Sequence, residues 1–253
     1  MSDYHSRPEV SATMLKSMAK GWRTFESEHI TREAERKESQ AFVIGSAVHA
    51  ALLERDAFAE RYAICPQECS DRRTKAYKEW AAEVTDREIL TQADAALIAA
   101  IENKCFDNQS VRQLLETPGG VEVEFFWRCK TTDVDCRAKA DKVLPGGVVL
   151  DVKTTDDARP EAFARTIGMY RYDLQAVHYM DATGATTFIF LAVEKTAPFR
   201  VRLYELCHAD LADAREMRAA LLQEYLDRKI RNDWSEPNEL SVQTLFLPNY
   251  LRG

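Results

Sequence analysis

The run Asp141-Lys142-Val143-Leu144-Pro145-Gly146-Gly147-Val148-Val149-Leu150-Asp151-Val152-Lys153 constrains the fold more than any other part of the chain. Pro-Gly-Gly between two strand-like runs reads as a hairpin, because a glycine there supplies the positive φ of a short turn. If Leu144 pairs with Val148, Asp141 falls opposite Asp151, and directly opposed residues have Cβ atoms about 4.5–5.5 Å apart. Like charges so placed cost stability unless a cation lies between them. Side chains alternate along a strand, so Asp151 and Lys153 share a face. The alternative is an exposed hairpin with solvated charges, but an apolar strand such as Val-Val-Leu-Asp-Val-Lys seldom carries unpaired ones. Two carboxylates and a nearby carbonyl suit a hard divalent cation such as Mg²⁺. A lysine beside them can orient or deprotonate a water, or offset negative charge building on a phosphate.

The rest of the 253 residues gives this hairpin a setting. Residues 1–118 hold Ala-rich stretches of helical period at 11–20, 41–55, 71–83 and 86–104. After Thr117-Pro118-Gly119-Gly120 the texture turns to strands at 121–128, 135–144 and 148–155. A helix is expected within 160–181, strands at 186–194 and 199–205, a helix over 208–231, and an irregular tail over 233–253. That order predicts one α/β domain with a mixed sheet (core 119–232) and a helical N-terminal part. No apolar run approaches a membrane span, and the start MSDYHSRPEV lacks the regions of a signal peptide, so the cytoplasm is the expected compartment. Six cysteines at spacings that match no strong zinc pattern are expected to be free, mostly buried thiols.

Asp141 followed by Asp151-Val152-Lys153, on successive strands, resembles the PD-(D/E)xK nuclease superfamily, with Asp151 to Lys153 as its D-x-K element. The nearer resemblance is to the branch holding RecB-type nucleases and the phage exodeoxyribonuclease VIII (RecE-type) family. Gly45-Ser46-Ala47-Val48-His49 is similar to that branch's helix with a metal-binding histidine, and Gln175-Ala176-Val177-His178-Tyr179 to its Q-x3-Y motif. A lone D-x-K is weak evidence, whereas this ordered set, over roughly residues 41–195, is specific. The resemblance implies a restriction-endonuclease-like α-β-β-β-α-β core. It implies Mg²⁺ or Mn²⁺ held by His49, Asp141, Asp151 and the Val152 carbonyl, with Lys153 assisting the water. Its further implications are digestion of double-stranded DNA from the 5′ strand, a 3′ overhang passed to a single-strand annealing partner, a toroidal tetramer, and a phage or prophage origin.

Each outlying motif also has its own physical sense. The small residues around His49 let that helix approach the sheet closely; a lone histidine there is ordinarily a core residue, and the resemblance makes it a ligand. An imidazole in the shell suits Mn²⁺ better than Mg²⁺. Gln175 and Tyr179 lie one turn apart on the same side of a helix and could hold a phosphate or the lysine. His178 faces elsewhere and reads as core. On the first strand Glu122 and Glu124 share a face, and Glu124 is the preferred neighbour of the metal. Arg72, Arg73, Lys75 and Lys78 form the one recognisable basic cluster, a candidate grip on DNA phosphates. The net charge of -7 excludes a broad basic DNA-coating surface. A ring would focus the few cations on a central channel. Two rivals remain: a single-strand nuclease of the same superfamily with a four-cysteine iron–sulfur cluster, and a nuclease-fold DNA-binding protein without catalysis, which would be expected to have lost Asp151 or Lys153.

Overall fold

The change of texture near residue 118 marks the edge of a sheet. A computed structural model describes residues 4–34, 40–69 and 71–236, with positions 242, 244 and 246, so most of the expected tail lies outside the described residues. Among the described residues seven α-helices precede the main sheet: α1 (Ala12–Lys20), α2 (Trp22–Phe25), α3 (Gln40–Leu53), α4 (Arg55–Arg61), α5 (Lys75–Glu83), α6 (Gln92–Asp107) and α7 (Gln109–Glu116). Ser11 starts α1 by accepting the Met14 amide, and Thr91 with Asp94 forms a capping box on α6. The helix expected from residue 86 therefore begins only at Gln92. Before it, β2 (Glu88–Leu90) pairs in parallel with β1 (Tyr62–Ile64). Three residues are too few for alternation to show in a sequence.

The main sheet has the order β3 (Gly120–Arg128), β4 (Asp135–Leu144), β5 (Val148–Thr155), β6 (Thr187–Glu194) and β7 (Val201–Tyr204). Only β5 and β6 are parallel, and their crossover carries α8 (Pro160–Tyr170) and α9 (Tyr172–Thr183). The single helix expected over 160–181 is broken at Arg171, whose φ of 52° ends α8 and starts α9. The last helix, α10 (His208–Arg231), has its expected bounds. Mixed sheet and flanking helices together make the restriction-endonuclease-like fold.

Both faces of β5 are buried. Leu150 and Val152 pack with Ile44, Ala47 and Val48 of α3, while Val149 packs with Ala176 and Val177 of α9. A Cβ on Gly45 would meet Thr154 Oγ1 at 3.4 Å, so the small residues of α3 do bring it close against β5. A third cluster joins α1 and α2 to α10 through Leu15, Phe25, Leu222 and Tyr225.

The hairpin has the expected register, with Leu144 opposite Val148, Val143 opposite Val149 and Lys142 opposite Leu150. One step further the ladder ends. Asp141 and Asp151 are not a cross-strand pair; β4 and β5 diverge there, and Asp141 Oδ2 accepts the Val152 amide at 2.9 Å. On the edge of β4 that β5 has left, Val10 bridges to Cys136. Two opposed carboxylates repel, and a fork separates them while a side chain replaces the missing backbone acceptor. The fork makes the floor of the site.

Candidate active site

Three donors converge at the fork. His49 Nε2 lies 3.1 Å from Asp141 Oδ2 and 3.3 Å from Glu122 Oε1. One ligand atom from each of His49, Glu122 and Asp141 falls within 4.8 Å of the others. Asp151, fully buried, stands beside them: its Oδ1 accepts from Gln175 Nε2 at 2.6 Å and its Oδ2 meets the Lys153 ammonium. Apart from the Lys153 ammonium, Oδ2 has no partner among the described residues, so this buried carboxylate oxygen keeps a lone pair for a ligand. The Val152 amide points into the fork, and the carbonyl of a strand residue leaves on the same edge as its amide. Two carboxylates, an imidazole and an under-bonded third carboxylate fit a divalent cation that takes oxygen and nitrogen ligands.

The charges hold one another in place. Burial pushes the Asp151 carboxyl up to about 6, helped by Asp141 and opposed by Lys153. For Asp141 burial acts in the same sense, but His49, Lys153 and the Val152 amide outweigh it and leave the group below the ordinary carboxylate range. Burial works against the charged forms of His49 and Lys153, yet the neighbouring carboxylates prevail and raise both. The site is thus a set of charges that are stable only together.

Glu122, rather than the expected Glu124, reaches this set. Its φ of 54° breaks the alternation of β3 while the register stays the same on either side, and its other oxygen meets Lys139 Nζ at 2.5 Å. Glu124 sits opposite Lys139 in the ladder, within electrostatic reach of Tyr4. Nothing in a Val-Glu-Val-Glu pattern announces a left-handed residue.

Gln175 is a bridge. While Nε2 donates to Asp151, Oε1 accepts from Lys16 Nζ at 2.5 Å. Lys16 and Lys153 place their ammonium groups 4.7 and 4.9 Å from the centre of the Tyr172 ring. Burial, and then the charge of Lys153, depress Lys16 to about 7. Lys16 and Tyr172 carry no signal of a site in the sequence, and Glu122 is the less favoured there of the two β3 glutamates. Tyr179 is half-buried against Phe188, and burial raises its phenol well above the usual value.

Two cavities meet at the fork, one of about 1080 Å³ and one of about 520 Å³, and both are lined by Lys16, Glu122, Asp141 and Tyr172. Tyr179 lines the larger, His49, Val152, Lys153 and Gln175 the smaller. Arg72, Arg73, Lys75 and Lys78 line neither; Arg73 pairs with Asp71 at 3.0 Å and Lys75 with Glu79 at 3.3 Å. The cysteines are free thiols, with all but Cys207 buried.

His178, one turn from Gln175, belongs to another network. Its Nδ1 accepts from Arg218 Nε at 3.0 Å, which makes Nε2 the protonated nitrogen that donates to the Arg137 carbonyl at 3.0 Å. Arg218 also donates to Asp181 at 2.9 Å, as does Trp127 Nε1 at 2.7 Å. The imidazole is a core group, as expected.

Among the described residues no helix is long and apolar enough to cross a membrane. No curated protein matches the sequence. The fold is similar to that of a putative exonuclease from Eubacterium rectale, at 16% identity over 93% of this chain and 86% of that one, with a TM-score of 0.64. Weaker likenesses include LHK-Exo, an alkaline exonuclease from Laribacter hongkongensis, in complex with dAMP (15% identity, 88% and 94% covered, TM-score 0.41). Another is a phage related exonuclease from Haemophilus somnus (15%, 65% and 91%, TM-score 0.36). The first shows a shared fold; the other two scores are too low to argue from. A family model matches residues 11–240, nearly the whole described chain and every group at the fork, so this protein belongs to the PDDEXK-like family DUF3799, within the PD-(D/E)xK nuclease superfamily.

Proposed function

We propose that the protein is a Mg²⁺- or Mn²⁺-dependent exodeoxyribonuclease. The observation that carries this reading is the buried Asp151–Lys153 pair set beside His49, Glu122 and Asp141 on a PDDEXK-like fold. His49, Glu122, Asp141 and Asp151, with the Val152 carbonyl, would hold the cation, which when bound polarises a phosphodiester and lowers the pKa of a water. Lys153 orients the water that attacks phosphorus in line and offsets charge on the phosphate oxygens. Gln175 fixes the rotamer of Asp151, so that one oxygen stays turned toward Lys153. The imidazole favours Mn²⁺.

The reading extends, on the motif resemblance, to duplex DNA degraded from its 5′ strand, with the 3′ overhang used by an annealing protein, and to an oligomeric ring. The test is duplex DNA labelled at the 5′ or the 3′ end, incubated with Mg²⁺, Mn²⁺ or EDTA. Metal-dependent release from 5′ ends is the expected result. Release from 3′ ends alone would reverse the polarity, and inert DNA under every condition would remove the activity. Light scattering coupled to size exclusion tests the ring, which a 28.8 kDa monomer would exclude.

A further inference from the structure

A chain of net charge -7 that handles a polyanion must gather its cations somewhere, and the exposed Arg72 to Lys78 cluster lies off the site. The larger cavity is where they gather. Lys16 and Lys20 line it from α1, Lys229 from the end of α10, and Arg32 from the turn after residues 26–30. Lys20, Arg32 and Lys229 are exposed, and none has a carboxylate partner among the described residues. Lys16 has the uncharged Gln175 amide as its hydrogen-bond partner. Three carboxylates line the same cavity: Glu122 and Asp141 belong to the fork, and Glu28 takes the Ser17 hydroxyl at 2.5 Å. The groove walls are therefore positive and their charge is unspent.

Its shape narrows the occupant. Lys16 and Lys20 are four residues apart on one helix, about 6 Å along its axis, which is of the order of the step between phosphates on one strand. Tyr170, 53% exposed, stacks on Tyr172 with ring centres 5.7 Å apart and planes at 22°, and both rings line the groove. An aromatic face beside a row of cations is how proteins hold unpaired nucleic acid, whose bases are free to stack. A duplex has twice the bulk per step and turns its bases inward, away from Tyr170.

We propose that this groove holds one unpaired DNA strand leading to the fork, gripped at its phosphates by Lys16, Lys20, Arg32 and Lys229 and stacked on Tyr170, so that a duplex end must fray before it is cut. The proposal rests on the nuclease reading, but binding can be measured without cleavage. Fluorescence anisotropy of a labelled single-stranded oligonucleotide, in EDTA and across a salt series, is the direct test. Lys20→Gln/Arg32→Gln/Lys229→Gln is expected to bind at least about tenfold more weakly at low salt, with the slope of log K against log salt flattened by about 2, at about 0.7 per cation removed. Tyr170→Ala should cost about fivefold or more, the equivalent of one lost stacking contact. Lys20→Gln alone alters an exposed side chain and gives the same reading on a smaller scale should the triple variant not fold. Unchanged affinity and slope in the variants would overturn the groove. A duplex whose terminal base pairs are cross-linked is expected to resist digestion; cutting it as fast as an unlinked duplex would overturn the single-strand requirement. Wild-type protein that binds the oligonucleotide in this way, yet cleaves nothing with any metal, would sink the nuclease reading and leave the groove standing.

Discussion

Two buried polar networks flank α9, and they differ in what they leave unsatisfied. Around His178 both ring nitrogens, the Arg218 guanidinium and the Trp127 indole all have partners, and the cation of Arg218 is matched by Asp181. Around His49 three carboxylates crowd an imidazole and the ammonium groups of Lys16, Lys139 and Lys153, Asp151 Oδ2 has only the Lys153 ammonium against it, and the set opens on two cavities. A satisfied network fixes a fold and has nothing left to offer a ligand; an unsatisfied one is kept at a cost in stability and has bonding capacity to give. Residue type does not separate the two histidines. Their unfilled valences do.

The largest expected effect is at the unsatisfied network. Asp151→Asn and Lys153→Ala should each lower DNA cleavage by about 10³-fold or more, since each removes a charge acting at the reacting phosphate, and both proteins should still show a cooperative thermal transition. Near wild-type turnover in Lys153→Ala would show that the contrast assigns the lysine wrongly.

At the satisfied network the effect moves to stability. Arg218→Leu leaves His178 Nδ1 without its donor and should cost about 3 kcal/mol in urea unfolding, while the folded fraction keeps its specific activity. If activity fell and stability did not, the two networks would have to be exchanged.

Acid sharpens the comparison next. Burial, and then the neighbouring Arg218 charge, depress the His178 imidazole to about 3, whereas an unfolded histidine titrates near 6.5. Between those values the unfolded chain binds the extra proton. The contribution of His178 to stability is therefore complete above about pH 6.5 and is lost as pH falls. From pH 7 to pH 5 the wild type should lose about 2 kcal/mol more than His178→Gln. Equal losses in urea titrations at the two pH values would contradict the burial argument.

The smallest effect separates the two glutamates of β3. Glu122→Gln should weaken Mn²⁺ binding by about tenfold in calorimetry, and Glu124→Gln should leave it unchanged. The opposite ranking would return Glu124 to the metal.

The sheet and half of the fork are legible in the sequence. Pro145-Gly146-Gly147 fixes the hairpin, and because the side-chain period is 2, one correct pair carries the register to Asp141 and Asp151. What is not legible is where the ladder stops, since no turn residue marks that point. The left-handed backbone at Glu122 and Arg171 is likewise invisible, because neither residue type favours it. Lys16 was missed for another reason: its contact with Gln175 spans 159 residues, and a lysine on the hydrophilic edge of a short helix looks like any solvated charge. The expected DNA cluster lies outside both cavities. Arg72 to Lys78 is dense in sequence, whereas the cations of the groove come from α1, α10 and a turn and meet only in space.

The divergence of β4 from β5 also bears on the timing of biosynthesis. A nascent chain that has emerged as far as residue 155 already contains His49, Glu122, Asp141, Asp151 and Lys153, yet Asp151 gains its Gln175 partner only with α9, and α1, which brings Lys16 to Gln175, packs against α10. Contacts of such long sequence separation form late, because the chain must first surrender the entropy of a large loop. By that argument the proposed cleavage would stay latent during translation. A truncated polypeptide would carry the reactive groups without the helices that aim them, and detaching α1 from α9 and α10 is expected to lower activity by removing Lys16 from Gln175.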